Sequence, residues 1–277
     1  MSKPSQFRAA GRGLLLSGHL LSGAIQEFGL VLRYGAAWHQ TPRGIIAVSR
    51  WMQRLSRIIG LQVQTHSLPM PAPVMLVANH VSWLDIIAIA GLCPARFLAK
   101  DTVRRWPLIG MLAALSGTLF IRRETASALR KTNLMLAQCL TDGQRVVIFP
   151  EGTTTDGKQM QEFKSALFEA ARMADCPVQP LAISYQRDGE TDLQAPYYGN
   201  DTFVTHLWRI MSLPETTVQL HFCPVIADNS SRKVVARASH ACISETLSTY
   251  RYLAAQPLAT ATEEMEVWLE TETPSQA

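Results

Sequence analysis

Hydrophobic residues occur along this chain in two patterns, short continuous runs and longer stretches with helical spacing. Continuous apolar runs at 74–78 and 146–149 are typical of strands buried on both faces. Less regular runs predict further strands at 96–99, 118–121, 178–184 and 217–226. Helical spacing predicts helices at 43–60, 86–92, 125–141, 163–174 and 232–250. Because predicted strands and helices alternate, we predict an α/β fold with a central, largely parallel sheet flanked by helices.

The N-terminal region precedes the first predicted strand and has a helical pattern. Residues 43–60 are predicted to form an amphipathic helix, with apolar side chains on one side and three arginines on the other. Residues 13–26 are uncharged and mostly apolar, and Glu27 follows them. A membrane-spanning helix needs about 20 apolar residues, so this stretch is predicted to form a helix that lies in the membrane interface. A cleaved signal peptide is the alternative.

A second uncharged stretch, at 106–121, contains Pro107, Gly110 and Gly117. These residues disfavour a straight membrane-spanning helix. We therefore predict a buried helix followed by a strand here.

Charge divides the chain into three parts. Residues 1–60 contain eight basic residues and one acid, whereas 61–255 contain 18 basic and 16 acidic residues. Residues 256–277 contain five glutamates and no basic residue. We predict a membrane-associating helical segment at 1–60, the main domain at 61–255 and an acidic, flexible tail at 256–277. Each basic residue close to an anionic lipid surface contributes about 1 kcal/mol to binding.

The overall composition excludes several classes of protein. The chain is 47% hydrophobic and 17% charged, which excludes a disordered polar chain, a coiled coil and a collagen-like chain. No basic stripe with interleaved aromatic residues is present, so no nucleic-acid partner is predicted. The five cysteines include no Cys-x-x-Cys pair, which disfavours a disulfide framework or a structural zinc site and favours a reducing compartment.

Residues 79–85 (Asn-His-Val-Ser-Trp-Leu-Asp) are the main candidates for chemistry. They directly follow the predicted strand 74–78, so His80 stands at a strand's carboxyl end, the usual place for a site in an open α/β sheet. In a continuous helix, His80 and Asp85 would lie about 140° apart. They can meet only where a strand end bends into a helix start, with Ser82 as the natural N-cap. Alternatively, Ser82-x-x-Asp85 is a capping-box pattern in which Asp85 only caps the helix.

Three further segments combine a strand with polar or glycine residues: 149–153 (Phe-Pro-Glu-Gly-Thr), 117–123 (Gly-Thr-Leu-Phe-Ile-Arg-Arg) and 178–182 (Val-Gln-Pro-Leu-Ala). Each alone is also compatible with a plain turn or a solvated strand end. Nucleophile-elbow, Walker, dinucleotide-binding and His-Glu-x-x-His motifs are absent, which disfavours the commonest hydrolases, nucleotide-binding proteins and zinc proteases.

Taken in order, the four segments resemble the motifs of the glycerophospholipid acyltransferases, the 1-acylglycerol-3-phosphate O-acyltransferases. The family's motifs are Asn-His-x-x-x-x-Asp, Gly-x-x-Phe-x-x-Arg, Phe-Pro-Glu-Gly-Thr-Arg-Ser and a Val/Ile-x-Pro-Val/Leu strand. The resemblance covers about 74–184, so residues 61–255 are interpreted as the acyltransferase domain. The four motifs in this order are highly specific for the family, although each motif alone is weakly specific.

The resemblance implies a mechanism that requires no metal and no cofactor. His80 would act as general base on a hydroxyl of the acceptor, and Asp85 would orient the imidazole and stabilise its cation. The acyl donor, acyl-coenzyme A or acyl-acyl carrier protein, would be a co-substrate. Arg123 would bind the acceptor's phosphate, and Arg122 would add positive charge. The other predicted substrate-binding residues are Asn79, Lys100, Glu151, Gly152 and Thr153.

The implied function is acylation of 1-acyl-sn-glycerol-3-phosphate to phosphatidic acid at the cytoplasmic face of the cell membrane, by a peripheral or monotopic enzyme. The chain has Thr154-Thr155 where the family has Arg-Ser, and a hydrogen bond to a charged group is worth about 1.5–3 kcal/mol. Lyso-ornithine lipid or another lyso-lipid is therefore the alternative acceptor. Two different functions also fit the sequence, a non-catalytic lipid-binding module and a hydrolase or transacylase.

Overall fold

One mixed β-sheet organises the residues described by the computed structural model, which are 3–35, 38, 41–105, 110, 113, 117–121, 125–228 and 231–252. The helices are α1 (Gln6–Tyr34), α2 (Pro42–Ile59), α3 (Leu84–Leu92), α4 (Ala126–Thr141), α5 (Glu169–Met173), α6 (Phe203–Ser212) and α7 (Arg232–Tyr252). The strands are β1 (Leu61–Thr65), β2 (Val74–Ala78), β3 (Arg96–Lys100), β4 (Leu119–Ile121), β5 (Arg145–Ile148), β6 (Val178–Arg187), β7 (Glu190–Thr191) and β8 (Thr216–Phe222).

The sheet has the strand order β1-β8-β6-β2-β5-β3-β4, and β7 pairs with β6 as a short hairpin. Strands β6, β2, β5, β3 and β4 run parallel to one another. Strand β8 is antiparallel to β6, and β1 is parallel to β8. The predicted α/β fold with a largely parallel sheet is therefore confirmed, with β2 between β5 and β6 at its centre.

The apolar composition of β2 follows from its central position, because all five side chains are buried. Val74 and Leu76 face the core beneath α2 and α3, whereas Met75 and Val77 face the core beneath α4 and α5. A strand covered on both faces reads as a continuous apolar run, which explains why the sequence pattern located β2 to the residue.

The N-terminal apolar stretch is part of a single helix of 29 residues, α1, which is twice as long as the stretch on which the prediction was based. Glu27 does not end this helix. Its side chain is buried on the face that α1 turns towards the rest of the chain. By length and composition, α1 is sufficient to cross a membrane.

Two arginines of α1 attach it to the C-terminal end of α6. Arg8 Nη1 donates to the carbonyl of Ser212 at 2.9 Å. Arg12 donates to the carbonyls of Met211 and Leu213, at 3.2 and 2.6 Å, and to that of Pro214. The last carbonyls of a helix have no partner within the helix and carry its negative dipole end, so guanidinium groups stabilise them. Two of the eight N-terminal basic residues therefore act within the protein.

A close contact between α1 and α2 explains one glycine. A β-carbon at Gly23 would lie 2.5 Å from Nε1 of Trp51. The ring of Trp51 also stacks on His19, with centroids 4.5 Å apart. Only glycine allows this approach, and the two helices pack through these residues.

The main differences between the predicted elements and the structure are five. Strand β1, the β7 hairpin strand and helix α6 had no prediction. The helix predicted at 163–174 is a 3₁₀ turn, Ser165–Phe168, followed by the short α5. Strand β8 ends at Phe222, and Ile226 makes only an isolated bridge with Val178. The predicted tail at 256–277 and most of 106–121 lie outside the described residues, so these two predictions and the domain limits remain predictions.

Candidate active site

His80 lies where the chain leaves the carboxyl end of β2, and three contacts hold it there. Its backbone N–H donates to Oε1 of Glu151 at 2.7 Å, and its carbonyl accepts from the N–H of Thr155 at 2.9 Å. Its ring stacks on Phe149, with centroids 4.0 Å apart and planes inclined by 18°. The side chain keeps 18% of its surface exposed. The imidazole is thus fixed in orientation but open to solvent.

The side chains of His80 and Asp85 meet, as the predicted bend between strand and helix requires. His80 Nδ1 lies 2.8 Å from Oδ2 of Asp85, whose side chain is completely buried. A carboxylate only accepts hydrogen bonds, so Nδ1 carries the proton and Nε2 carries the free lone pair. Nε2 makes no hydrogen bond with the described residues. The pair is therefore arranged as a general base with its orienting acid.

Asp85 also caps the chain before α3, so the two roles predicted for it coincide. Its Oδ2 accepts from the backbone N–H groups of Val81 at 2.8 Å and Ser82 at 3.0 Å. The prediction that Ser82 is the N-cap is wrong, because Trp83 holds that position and makes no side-chain cap bond. The Ser82 hydroxyl is buried and makes no hydrogen bond with the described residues. The same carboxylate oxygen shapes the bend and holds the imidazole.

Tyr185 is a site residue that the sequence did not reveal. Its hydroxyl donates to Oδ1 of Asp85 at 2.5 Å, and its ring is buried. The alternation along β6 places Tyr185 on the same face as Leu181 and Ile183, where a phenol needs a buried acceptor. That alternation was the available signal. Which residue accepts the hydrogen bond of the phenol depends on the pairing of β6 with β2, and the sequence pattern does not give that pairing.

Glu151 braces the site from the carboxyl end of β5. Its side chain is buried, and while Oε1 accepts from His80, Oε2 accepts from the backbone N–H of Gln161 at 2.9 Å. Burial raises the pKa of Glu151, and the two backbone donors partly offset that rise. Gly152 follows with φ of 78°, a left-handed conformation that favours glycine. Glu151 thus holds two loop segments together, and Thr153 beside it is exposed.

Asn79 extends the pairing of β2 with β6 by means of its side chain. Its Oδ1 accepts from the N–H of Ile183 at 2.8 Å, and its Nδ2 donates to the carbonyl of Ile183 at 2.9 Å. These two bonds replace the ladder bonds of the next backbone position. They let the main chain turn away at His80 while the strands stay together. Both polar groups of Asn79 are directed at the backbone.

A buried histidine on α6 supports the loop between β2 and α3. Trp83 Nε1 donates to Nδ1 of His206 at 3.0 Å, and Nε2 of His206 lies 3.0 Å from the carbonyl of Pro196. Burial lowers the pKa of His206, which favours the neutral ring that these two bonds require. The sequence did not predict this role because it did not predict α6.

Three residues that were predicted to bind substrate are basic, and the structure describes only the backbone of one of them. Lys100 ends β3, whereas Arg122 and Arg123 lie outside the described residues. Among the described residues, no group of three or more His, Cys, Asp or Glu side chains is placed to hold a metal ion. The assignments of these three basic residues to substrate binding remain predictions.

Comparison with known proteins relates the chain to acyltransferases. Residues 60–184 match the family described as Acyltransferase. A lyso-ornithine lipid O-acyltransferase from Pseudomonas aeruginosa is 40% identical over 194 residues, which are 70% of this chain and 75% of the relative. A 1-acyl-sn-glycerol-3-phosphate acyltransferase from Neisseria gonorrhoeae is 35% identical over 164 residues, which are 59% of this chain and 64% of the relative.

A solved structure shares the fold. The 1-acyl-sn-glycerophosphate acyltransferase PlsC from Thermotoga maritima superposes with a TM-score of 0.66 at 17% identity. The similarity covers 91% of this chain and 97% of that one. The N-terminal helices and the sheet are thus part of a fold found in another chain.

Proposed function

The chain belongs to the acyltransferase family, and on this basis we propose that it moves a fatty acyl group from a thioester to the hydroxyl of a lyso-lipid. The donor is acyl-coenzyme A or acyl-acyl carrier protein. The observation that carries the proposal is the bond between His80 Nδ1 and Asp85 Oδ2. It leaves Nε2 as a base at the carboxyl end of the central strand.

The catalytic steps follow from this pair. Nε2 of His80 removes the proton of the acceptor hydroxyl as its oxygen attacks the thioester carbonyl. The imidazolium that forms is stabilised by the buried carboxylate of Asp85. When the tetrahedral intermediate collapses, the carbon–sulfur bond breaks and the imidazolium returns its proton to the thiolate. The substrate itself is the nucleophile, so no serine or cysteine nucleophile is needed.

The acceptor is the finer part of the proposal, and lyso-ornithine lipid is the preferred candidate. Of the two relatives described above, the lyso-ornithine lipid O-acyltransferase is 40% identical to this chain and the 1-acyl-sn-glycerol-3-phosphate acyltransferase is 35% identical. The sequence also lacks the family's arginine at Thr154. In the structure, the neighbouring Thr155 bonds to the carbonyl of His80. An acceptor with an amino-acid headgroup depends less on a cation there than a phosphate monoester does.

Acyl transfer to purified acceptors tests the proposal. Labelled acyl-coenzyme A and acyl-acyl carrier protein are each supplied with lyso-ornithine lipid or with 1-acyl-sn-glycerol-3-phosphate, and the acylated lipids are resolved. We expect higher kcat/KM with lyso-ornithine lipid. Preference for the phosphate acceptor would keep the chemistry and change the substrate. Release of free fatty acid without a lipid product would indicate a hydrolase. Lipid binding without any turnover would indicate a binding module.

We also propose that α1 lies along the surface of the membrane, in its cytoplasmic leaflet. Its outward face carries seven large apolar side chains that are 61–93% exposed: Phe7, Leu14, Leu15, Leu21, Ile25, Phe28 and Leu32. Full burial of one such side chain is worth about 1.5–3 kcal/mol. The opposite face packs on α2 and α6 and is tied by Arg8 and Arg12. A helix held in this way along the protein is suited to lie in one leaflet.

Basic residues in and beside α1 and α2 support this orientation. Six of the eight N-terminal basic residues remain exposed: Lys3, Arg33, Arg43, Arg50, Arg54 and Arg57. They are available for anionic headgroups, to which each contributes about 1 kcal/mol. The thioester donors are soluble, so they reach the active site from the cytosol.

Replacing three apolar residues of α1 should release the protein from membranes. For Leu14→Glu/Leu21→Glu/Phe28→Glu, we expect the fraction that sediments with phosphatidylglycerol-containing vesicles to fall by tenfold or more, since three apolar contacts are lost. The matched control is Leu134→Glu/Leu193→Glu/Val234→Glu, which changes three exposed apolar side chains elsewhere in the chain. Equal sedimentation of the two variants would contradict the role of α1.

A further inference from the structure

The fully buried carboxylate of Asp85 has an unequal distribution of partners. Oδ2 accepts three hydrogen bonds, from Nδ1 of His80 and from the backbone N–H groups of Val81 and Ser82. Among the described residues, Oδ1 accepts from the hydroxyl of Tyr185 alone. A buried carboxylate oxygen without a donor is strongly unfavourable. The charge on Oδ1 therefore depends on a single side chain, 100 positions away in the sequence.

We propose that Tyr185 is a positioning residue that sets how strongly Asp85 stabilises the protonated form of the catalytic imidazole. This inference rests on the proposed function, in which His80 is the base. Tyr185 does not touch the reacting atoms, and it acts through Asp85.

The location of Tyr185 follows from the register of the sheet. Ala78, the last residue of β2, pairs with Leu181 of β6. Strand β6 then continues to Arg187, past the point where β2 turns into the catalytic loop. Tyr185 is four residues beyond Leu181 on the same face, and pairing with Val218 of β8 holds it there. The phenol thus comes from a strand that β8 holds in place, and it contacts Oδ1, whereas the loop donors contact Oδ2.

The phenol stays protonated, and so remains a hydrogen-bond donor, to a higher pH than an exposed tyrosine does. Burial raises the pKa of Tyr185 well above its ordinary value, and the nearby Asp85 raises it further. Two other ionisable groups are close among the described residues. Glu151 accepts from the backbone of His80, and Asp192, which is paired with Arg187, acts on Tyr185. Neither group loses a bond when the phenol is removed.

The effect of the phenol on catalysis has a definite sign. A hydrogen bond at Oδ1 withdraws charge from the carboxylate, which weakens its attraction for an imidazolium at Oδ2. Without the phenol, the imidazolium is held more strongly, so the ring becomes protonated at a higher pH. A protonated ring is not a base. The acid limb of the activity profile therefore moves to higher pH.

The test is Tyr185→Phe, which removes the hydroxyl and keeps the ring in the core. We expect the acid limb of kcat against pH to rise by about half to one pH unit. Activity on that limb then falls about three- to tenfold, whereas the plateau at high pH and both KM values change little. The control is Tyr197→Phe, whose ring contacts His206 with centroids 5.2 Å apart on an adjacent loop. It should keep the wild-type profile.

A purely structural role for Tyr185 gives a different result. Loss of packing or stability would lower activity by the same factor at every pH and leave the acid limb in place, which would overturn the proposal. Replacement of Tyr185 by 3-fluorotyrosine keeps the hydroxyl and makes it a stronger donor. The acid limb should then move to lower pH, the opposite direction, and an unmoved limb would also overturn the proposal. This second replacement decides the question if Tyr185→Phe does not fold.

The same assays separate this inference from the proposed function. A folded His80→Ala protein that keeps its activity would contradict the proposed base and, with it, the role of Tyr185. Loss of activity in His80→Ala together with wild-type profiles for both Tyr185 variants would contradict the role of Tyr185 alone.

Discussion

His80→Ala is expected to lower kcat by about two to four orders of magnitude, the usual worth of a general base. The imidazole keeps 18% of its surface exposed, its Nε2 makes no hydrogen bond with the described residues, and its orientation is fixed by Asp85 and Phe149. The backbone contacts of His80 to Glu151 and Thr155 do not depend on the side chain. The fold should therefore persist, and circular dichroism and thermal unfolding check this. Steady-state acyl transfer measures the loss.

A matched histidine variant controls for His80→Ala. His240 on α7 packs edge-on against Phe163, with ring centroids 5.0 Å apart. His240→Ala should keep activity within about threefold, since its ring lies outside the site. A folded His80→Ala protein with more than a tenth of the wild-type rate would contradict the mechanism.

The second large effect is expected for Asp85→Asn, which keeps the shape of the side chain and removes its charge. The imidazolium formed during the reaction would then have no counter-charge in a completely buried position. We expect kcat to fall by about two to four orders of magnitude, with KM for the acceptor nearly unchanged. Kinetics in the pH range of the wild-type plateau measure both parameters.

The outcome for Asp85→Asn decides between the two roles of this residue. An amide oxygen can still accept from the N–H groups of Val81 and Ser82, so the cap before α3 should survive. A folded variant with near-wild-type turnover would mean that Asp85 only caps. Asp156→Asn is the control, because Asp156 is a nearby acid that bonds to the backbone of Lys158. It should keep activity within about threefold.

The double role of Asp85 explains why the motif needs four residues between His80 and the acid. The chain leaves β2 at Asn79 and begins α3 at Leu84, and this short bend has two backbone donors that no helix bond satisfies. The Asp85 carboxylate reaches back over the bend to accept both donors. The imidazole then shares the same oxygen, so the geometry of the cap also sets the orientation of the imidazole.

The fold class and the contact between His80 and Asp85 followed from the sequence because their signals are local. A continuous apolar run marks a strand buried on both faces, so β2 was located from residues 74–78 alone, and His80 had to stand at its carboxyl end. The separation of His80 and Asp85 required a bend. The order of the four motifs then identified the chemistry.

The tertiary structure decided the supports of the site, because these depend on contacts between distant segments. Tyr185 reaches Asp85 only through the register of β6 against β2, and His206 reaches Trp83 only through the packing of α6. Arg12, which the composition suggested for lipid contact, bonds instead to the end of α6. The pattern of neighbours along the chain shows which face of a strand or helix a residue occupies. Its partner is set by which strands and helices become adjacent when the sheet assembles.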